Sequence, residues 1–340
     1  MDEVIELAGA RAAPLRGPRT VAQLLTELDA AANAGARPDS KVMGTGFDPL
    51  DQVMEGGIRQ HDLVLVAGAP GIGKTVAALQ WARSIALSGH RVIYACYEHE
   101  EPVLIARLLA QELRTTPVDK DPDLVRNGLR DIAESRRSLS ELAAATPAFA
   151  AGSRSLSAYA ERLWLVRASG GRTGLKELEQ IAVEHRNGPM VLFIDYLQKV
   201  AIQPEQADEG EKVLRITEGL KELALSNDVA VVAVAAADRT GLEARRLRLH
   251  HLRGSSALAY ESDVVIMLND KARAVSKVHL AYDPVRAETY KHYVVFTIEK
   301  NRSGQAGIDM EFRKDFAHYR FDPRGGYVAE RLVDERLFEE

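Results

Sequence analysis

At 340 residues, with 46% hydrophobic and 27% charged residues, the chain is long enough for one large α/β domain or two smaller ones and has ample apolar material for a core. A net charge of −5 excludes a globally basic nucleic-acid coat while leaving a local basic groove open, and no apolar run approaches the length of a membrane helix. The first residues, Met1 to Glu6, are acidic where a secretory leader is basic, and the one cysteine, Cys96, has no internal disulfide partner, so the expectation is a soluble cytoplasmic protein with no membrane partner.

Residues 1 to 19 carry Ala, Arg, Pro and Gly without periodicity and read as a mobile arm. Thr20 and Gln23 then form a capping box, Val21, Leu24, Leu25 and Leu28 recur at helical spacing, and Gly35 stands where a C-cap glycine belongs. This amphipathic helix must bury its apolar stripe either on the domain that follows or on a neighbouring copy. From Lys41 strand alternates with helix, the pattern of a mostly parallel sheet covered on both faces. Strands are expected at about 62–67, 91–97, 162–166, 190–195, 229–235 and 263–268, with helices near 74–88, 101–114, 123–136, 173–186 and 211–226. The stretch 115–160 is polar and Ala/Ser-rich without an evident core face, and reads as a partly helical surface excursion. Beyond 290, Tyr293–Ile298, Gly307–Phe312 and Ala317–Phe321 read as short strands of an antiparallel meander at the sheet edge.

Between the first strand and helix of this array lies Gly68-Ala69-Pro70-Gly71-Ile72-Gly73-Lys74-Thr75, a G-x-x-x-x-G-K-[ST] phosphate loop in the context it requires. Its glycines let successive N–H groups turn inward into an anion-binding concavity at a helix N-terminus. Lys74 is the point charge for β- and γ-phosphates, and the Thr75 hydroxyl is a ligand for Mg²⁺, so the expected ligand is Mg²⁺-ATP. Val191 to Asp195 is an apolar strand ending in a carboxylate at the same rim, which supplies the second Mg²⁺ residue, Asp195. Val92 to Tyr97 leads to Glu98, placed to polarise a water attacking the γ-phosphate; Glu100 and Glu101 suit the first turn of the next helix.

Several stretches together resemble the RecA-like motor domain of DnaB-type replicative helicases. They are Thr45-Gly46-Phe47-Asp48-Pro49-Leu50-Asp51, Gly56-Gly57, the phosphate loop, Cys96-Tyr97-Glu98, Ile194-Asp195-Tyr196-Leu197-Gln198, Leu252-Arg253-Gly254-Ser255 and Lys300-Asn301-Arg302-Ser303-Gly304. The resemblance covers about residues 41 to 322. Its opening motif and phosphate loop are shared with RecA, RadA and KaiC relatives, whereas Asp-Tyr-Leu-Gln and Lys-x-Arg-x-Gly are more specific to the DnaB branch. It implies a RecA-like P-loop NTPase fold of the α/β class over 41–340, preceded by the arm and linker helix of 1–40, with Glu98 as catalytic glutamate. It further implies that Lys300 and Arg302 reach the nucleotide site of the next subunit, hence a ring or helical homo-oligomer of hexamer type. About forty residues precede the motor segment, where the family has a separate N-terminal helical domain.

The same resemblance assigns the segment Asp238 to Arg253 to the loops that hold single-stranded DNA. Its five arginines, Arg239, Arg245, Arg246, Arg248 and Arg253, suit salt-sensitive phosphate contacts. One departure stands beside that assignment: where the family has a Gln that senses the γ-phosphate, this chain has Ala236. Two functions follow as expectations. One is an oligomeric ATPase acting on single-stranded DNA; the other is a RecA/KaiC-like switch whose nucleotide state controls assembly or an unidentified protein partner.

Overall fold

The computed structural model describes residues 18–33, 42–113, 122–204, 208–238, 241, 243–252, 254–275 and 284–333. Its contacts divide the chain into two units, Met1–Lys41 and Val42–Glu340. In the first, α1 (Val21–Asn33) opens on the expected capping box: the Thr20 N–H donates to Gln23 Oε1 (2.8 Å) and the Gln23 N–H to Thr20 Oγ1 (3.2 Å). Val21, Leu25 and Leu28 are exposed along one stripe. The expected arm and the C-cap at Gly35 lie outside the described residues.

The second unit opens with a two-stranded clasp, β1 (Val42–Met43) against β2 (Ile58–Arg59), around α2 (Asp48–Val53). The T-G-x-D-x-L-D motif is structural here. The Asp51 carboxylate accepts hydrogen bonds from the Thr45 N–H (2.8 Å), the Thr45 hydroxyl (2.7 Å) and the Gly46 N–H (2.9 Å). This turn drives Phe47 into the core against Trp81 and Phe312.

The main sheet contains β3 (Leu63–Gly68), β4 (Arg91–Cys96), β5 (Leu163–Arg167), β6 (Met190–Asp195), β7 (Ala230–Ala236), β8 (Val264–Asp270), β9 (Tyr293–Asn301), β10 (Ile308–Asp315), β11 (Arg320–Phe321) and β12 (Gly326–Tyr327). Their spatial order is β11-β10-β9-β8-β3-β7-β6-β4-β5, with β12 on β10. The block from β8 to β5 is parallel and the pairings from β8 outward to β11 are antiparallel, the expected architecture. Both faces are covered, so alternate residues of one strand enter different cores: Val64 and Val66 pack with Trp81 and Phe296, Leu65 and Ala67 with Leu220 and Leu192. The covering helices include α3 (Lys74–Leu87), α4 (Glu101–Leu113), α8 (Leu175–His185) and α9 (Glu209–Ser226).

Two expectations change. The excursion holds three helices, α5 (Pro122–Ala133), α6 (Leu139–Ala145) and α7 (Pro147–Ser157), with a core of their own against α4 that includes Leu109, Leu113, Leu129 and Phe149. Glycines permit it: a methyl group on Gly128 would stand 2.5 Å from the Phe149 ring, and one on Gly152 would stand 3.0 Å from Leu109. At the edge, 317–321 is no continuous strand. A 3-10 turn, Phe316–His318, and Tyr319 in the left-handed region (φ 47°) precede β11. Among the described residues no helix is long and apolar enough to cross a membrane.

Candidate nucleotide site

β3 ends at Gly68 and α3 begins at Lys74, so the phosphate loop bridges a fully buried strand and a largely buried helix. Two glycines fix its shape. Gly71 and Gly73 have φ of 75° and 104°, a region that costs other L-residues, and a Cβ on Gly73 would stand 2.7 Å from Phe321 and 2.9 Å from Phe316. Lys74 curls over the loop and donates to the carbonyls of Gly68 (2.9 Å) and Ala69 (3.0 Å). Burial lowers its pKa, and the charges of Asp195 and Glu98 oppose that shift. These three groups therefore share one electrostatic neighbourhood.

Asp195 is the last residue of β6 and is buried. Burial raises its pKa, against hydrogen bonds from the Thr75 and Tyr94 hydroxyls, which favour the carboxylate. The Tyr94 hydroxyl donates to Asp195 Oδ2 at 2.9 Å. The Thr75 hydroxyl and the Asp195 carboxylate thus lie together, two hard oxygen donors of the kind a Mg²⁺ ion takes, and a buried carboxylate short of positive charge fits that ion. Tyr94 was not singled out from the sequence. A tyrosine inside an otherwise apolar buried strand was the available signal, because its hydroxyl needs a partner.

Glu98 follows two residues after the end of β4. The register pairs Cys96 with Asp195, and the Tyr97 N–H donates to the Asp195 carbonyl at 2.8 Å, which holds the chain at this rim. Glu98 is exposed there, open to water. Glu100 instead forms an ion pair with Arg167 at 2.7 Å, and Glu101 begins α4. Cys96 is buried in the sheet as a core residue.

Lys300 and Arg302 are not brought to this cluster. β9 runs antiparallel to β8, and Asn301 pairs with Val264 at the opposite rim of the sheet. There Lys300 Nζ donates to the carbonyls of Ala259 (2.5 Å), Ser262 (2.5 Å) and Tyr260 (3.3 Å), capping the end of α10 (Ser255–Glu261). Arg302, its side chain 48% exposed, pairs with Asp263 at 3.2 Å and donates to the Tyr260 carbonyl. Asp263 also binds Lys221 at 2.7 Å and the Leu63 N–H at 2.8 Å.

The arginine segment is less available than its sequence suggests. Its stem closes where Ala237 bridges Leu252 and the Asp238 N–H donates to the His251 carbonyl at 2.9 Å. Arg246, with a side chain only 7% exposed, is paired with Asp309 at 2.6 Å, and Arg248 with Glu299 at 2.7 Å. These two arginines are turned inward onto β10 and β9, a correction to the reading of five outward-facing cations. Arg245 Nη2 donates to the Val275 carbonyl at 3.0 Å and lines a cavity of about 230 Å³ shared with Ala69, Pro70 and Gly71 of the phosphate loop. Arg239 and Arg253 lie outside the described residues.

With this geometry in hand, residues 43–321 match the family model for the DnaB-like helicase C terminal domain. The chain belongs to that family. Among curated relatives of this DnaB-like chain are the replicative DNA helicase DnaB of Treponema pallidum (strain Nichols), 26% identical over 293 residues, and that of Rickettsia bellii (strain RML369-C), 26% identical over 306 residues. Each alignment covers 83% of this chain but only 57% and 58% of the relative, so the chain spans little more than half the length of these helicases. Among solved structures the fold is similar to that of a free-standing ATPase domain, with a TM-score of 0.69 and 19% identity over 90% of this chain and 99% of that one. It is also similar to a DnaB-like replicative helicase described with its interactions with primase, with a TM-score of 0.65 and 18% identity, covering 90% of this chain and 67% of that chain.

Proposed function

We propose that this DnaB-like domain hydrolyses Mg²⁺-ATP and works on single-stranded DNA as a homo-oligomer, a ring of hexamer type, in which each site is completed by the next copy. The observation that carries the reading is the division of the machinery between two rims. Lys74, Thr75, Asp195 and Glu98 converge at one end of the sheet, while Lys300 and Arg302 stand at the other. Lys74 and the N–H groups of residues 68–75 would cradle the phosphates. Thr75 and Asp195 would hold the Mg²⁺, which when bound neutralises charge on the phosphate oxygens. Glu98 would orient a water and accept its proton as that water attacks the γ-phosphorus. Arg302 of a neighbour would stabilise the charge that develops, with Lys300 beside it. The exposed stripe of α1 supports oligomerisation, with a second copy as the partner that covers it.

DNA contact is assigned to the segment around Arg239, Arg245 and Arg253, through phosphates. The deciding experiment measures ATPase activity with and without single-stranded DNA across a salt series. Stimulation that fades as salt rises is expected. Activity indifferent to DNA even at low salt would overturn the DNA assignment in favour of a nucleotide switch acting on a protein partner.

A further inference from the structure

The 3-10 turn Leu197–Lys199 follows β6, and its Gln198 lies three residues past Asp195. Both ends of the Gln198 amide are used on one residue: the Ala236 N–H donates to Oε1 at 3.2 Å, and Nε2 donates to the Ala236 carbonyl at 3.4 Å. An amide bonded to the N–H and the C=O of a single residue imitates a paired strand. The last register pair between β6 and β7 is Asp195 with Val234. Gln198 therefore carries the pairing two residues further, to the next residue of β7 that points the same way.

Ala236 is a junction. Its register partner on its other side is Gly68, the first residue of the phosphate loop, and the residue after it, Ala237, forms the bridge to Leu252 that closes the arginine segment. One side chain thus joins the turn after the proposed metal carboxylate to the point where the phosphate loop meets the foot of that segment. The methyl group at 236 offers no polar contact of its own. We infer that Gln198 is the positioning residue through which nucleotide in the site sets the arginine segment, its amide supplying from the β6 side the link that the residue-236 side chain cannot make. This rests on the nucleotide-site reading above but needs no DNA to be tested.

The test is amide hydrogen exchange of peptides covering 237–252, on the full chain, with and without Mg²⁺ and a non-hydrolysable ATP analogue. Binding of a fluorescent ATP analogue is followed in parallel. In the native protein, nucleotide should slow exchange of this segment by about fivefold or more, the lower end of ordinary coupling between sites. Gln198→Met keeps the side chain's length and apolar stem and loses both hydrogen bonds. It should bind nucleotide within about threefold of native, while the nucleotide-dependent change falls below about twofold. The double substitution Gln198→Met with Ala236→Gln returns an amide from the other strand and should restore part of the change.

A purely structural role would speed exchange equally with and without nucleotide and leave the ratio at its native value, which overturns the inference. So would a native protein that binds nucleotide with no change in the segment, although the nucleotide site itself would stand. Failure of the native chain to bind the analogue would instead remove the reading beneath both. Should Gln198→Met not fold, Gln198→Glu retains the acceptor for the Ala236 N–H and loses the donor. An intermediate ratio there is expected, and a native ratio counts against the coupling.

Discussion

Arg302→Ala separates a site completed in trans from one that works alone. In register, Asn301 is level with Val264 and Leu268 is level with Gly68, so four residues of strand, about 13 Å at ~3.3 Å each, lie between the rim that bears Arg302 and the start of the phosphate loop. Lys74 and Glu98 lie beyond that point, out of reach of any arginine side chain from the far rim. The substitution should leave folding intact: the Arg302–Asp263 pair is half in water and worth at most about 1 kcal/mol, and Asp263 keeps Lys221. Nucleotide binding should match native, while turnover should fall by ~10³–10⁵, the range for an arginine acting on a transferred phosphoryl group. Native activity should rise more steeply than linearly with protein concentration. Mixing Arg302→Ala with Lys74→Ala in equal amounts should recover about a quarter of native turnover, because in a head-to-tail assembly that fraction of interfaces joins an intact phosphate loop to an intact arginine. The assay is phosphate release at saturating nucleotide, with sizing to show that the two variants co-assemble. Co-assembly without recovery, or native activity linear down to a monomer, would refute the reasoning.

Lys74→Ala should abolish binding of a fluorescent nucleotide, whereas Glu98→Gln should bind normally and lose ~10²–10⁴ in turnover; near-native turnover would pass the base role to another group. Asp62 is a pH probe of stability, since burial, with the Asp263 charge second, pushes its pKa up to about 6 from the ordinary 3.8. The folded protein then holds more protons than the unfolded chain between those values, so stability falls as pH rises through that window and stays lower above it. The gap is worth about 3 kcal/mol, halved to about 1.5 because the group is partly shielded by water. Urea unfolding should show Asp62→Asn stabilised by that amount at about pH 7.5 and nearly neutral at about pH 4, the reverse order contradicting the assignment. With Arg246 and Arg248 held by carboxylates, the arginine segment brings at most three arginines to a single strand. The logarithmic salt slope should then stay within about 2 per subunit, against about 3.5 for five contacts. Arg246→Gln should leave that slope unchanged and cost about 2 kcal/mol of stability, less than a fully buried pair since Asp309 is partly exposed.

The parallel block was legible because strands buried on both faces read as continuous apolar runs, as in β3, β6 and β7, and because each is followed by a helix at regular spacing. The phosphate loop was legible because its geometry is made by consecutive residues, and Asp195 and Glu98 because each closes a strand beside it. What escaped depends on partners distant in sequence. The core of α5 to α7 is built on Ala and on glycines that admit Phe149 and Leu109, so no strong apolar stripe announced it. The carboxylates that hold Arg246 and Arg248 come from Asp309 and Glu299, more than fifty residues downstream, and charge counting along one segment could not register them.

Glu299 also shows how the antiparallel edge serves the site. Between Val265 and Ile266 the β8–β9 register slips: Lys300 pairs with Val265 and Ile298 with Ile266, which leaves Glu299 as the extra residue of a bulge, facing Arg248. A strand of the parallel block would deliver its C-terminal residues to the phosphate rim, where they could act only within their own chain. β9 runs the other way and so carries Lys300 and Arg302 from the nucleotide side to the far rim. The bulge spends one residue on tying that strand to the arginine segment just before the pair emerges. Strand direction, a property of the edge topology, is therefore what reserves Arg302 for another copy, and the Glu299–Arg248 pair places the arginine segment and the trans-acting pair on adjoining residues of one strand.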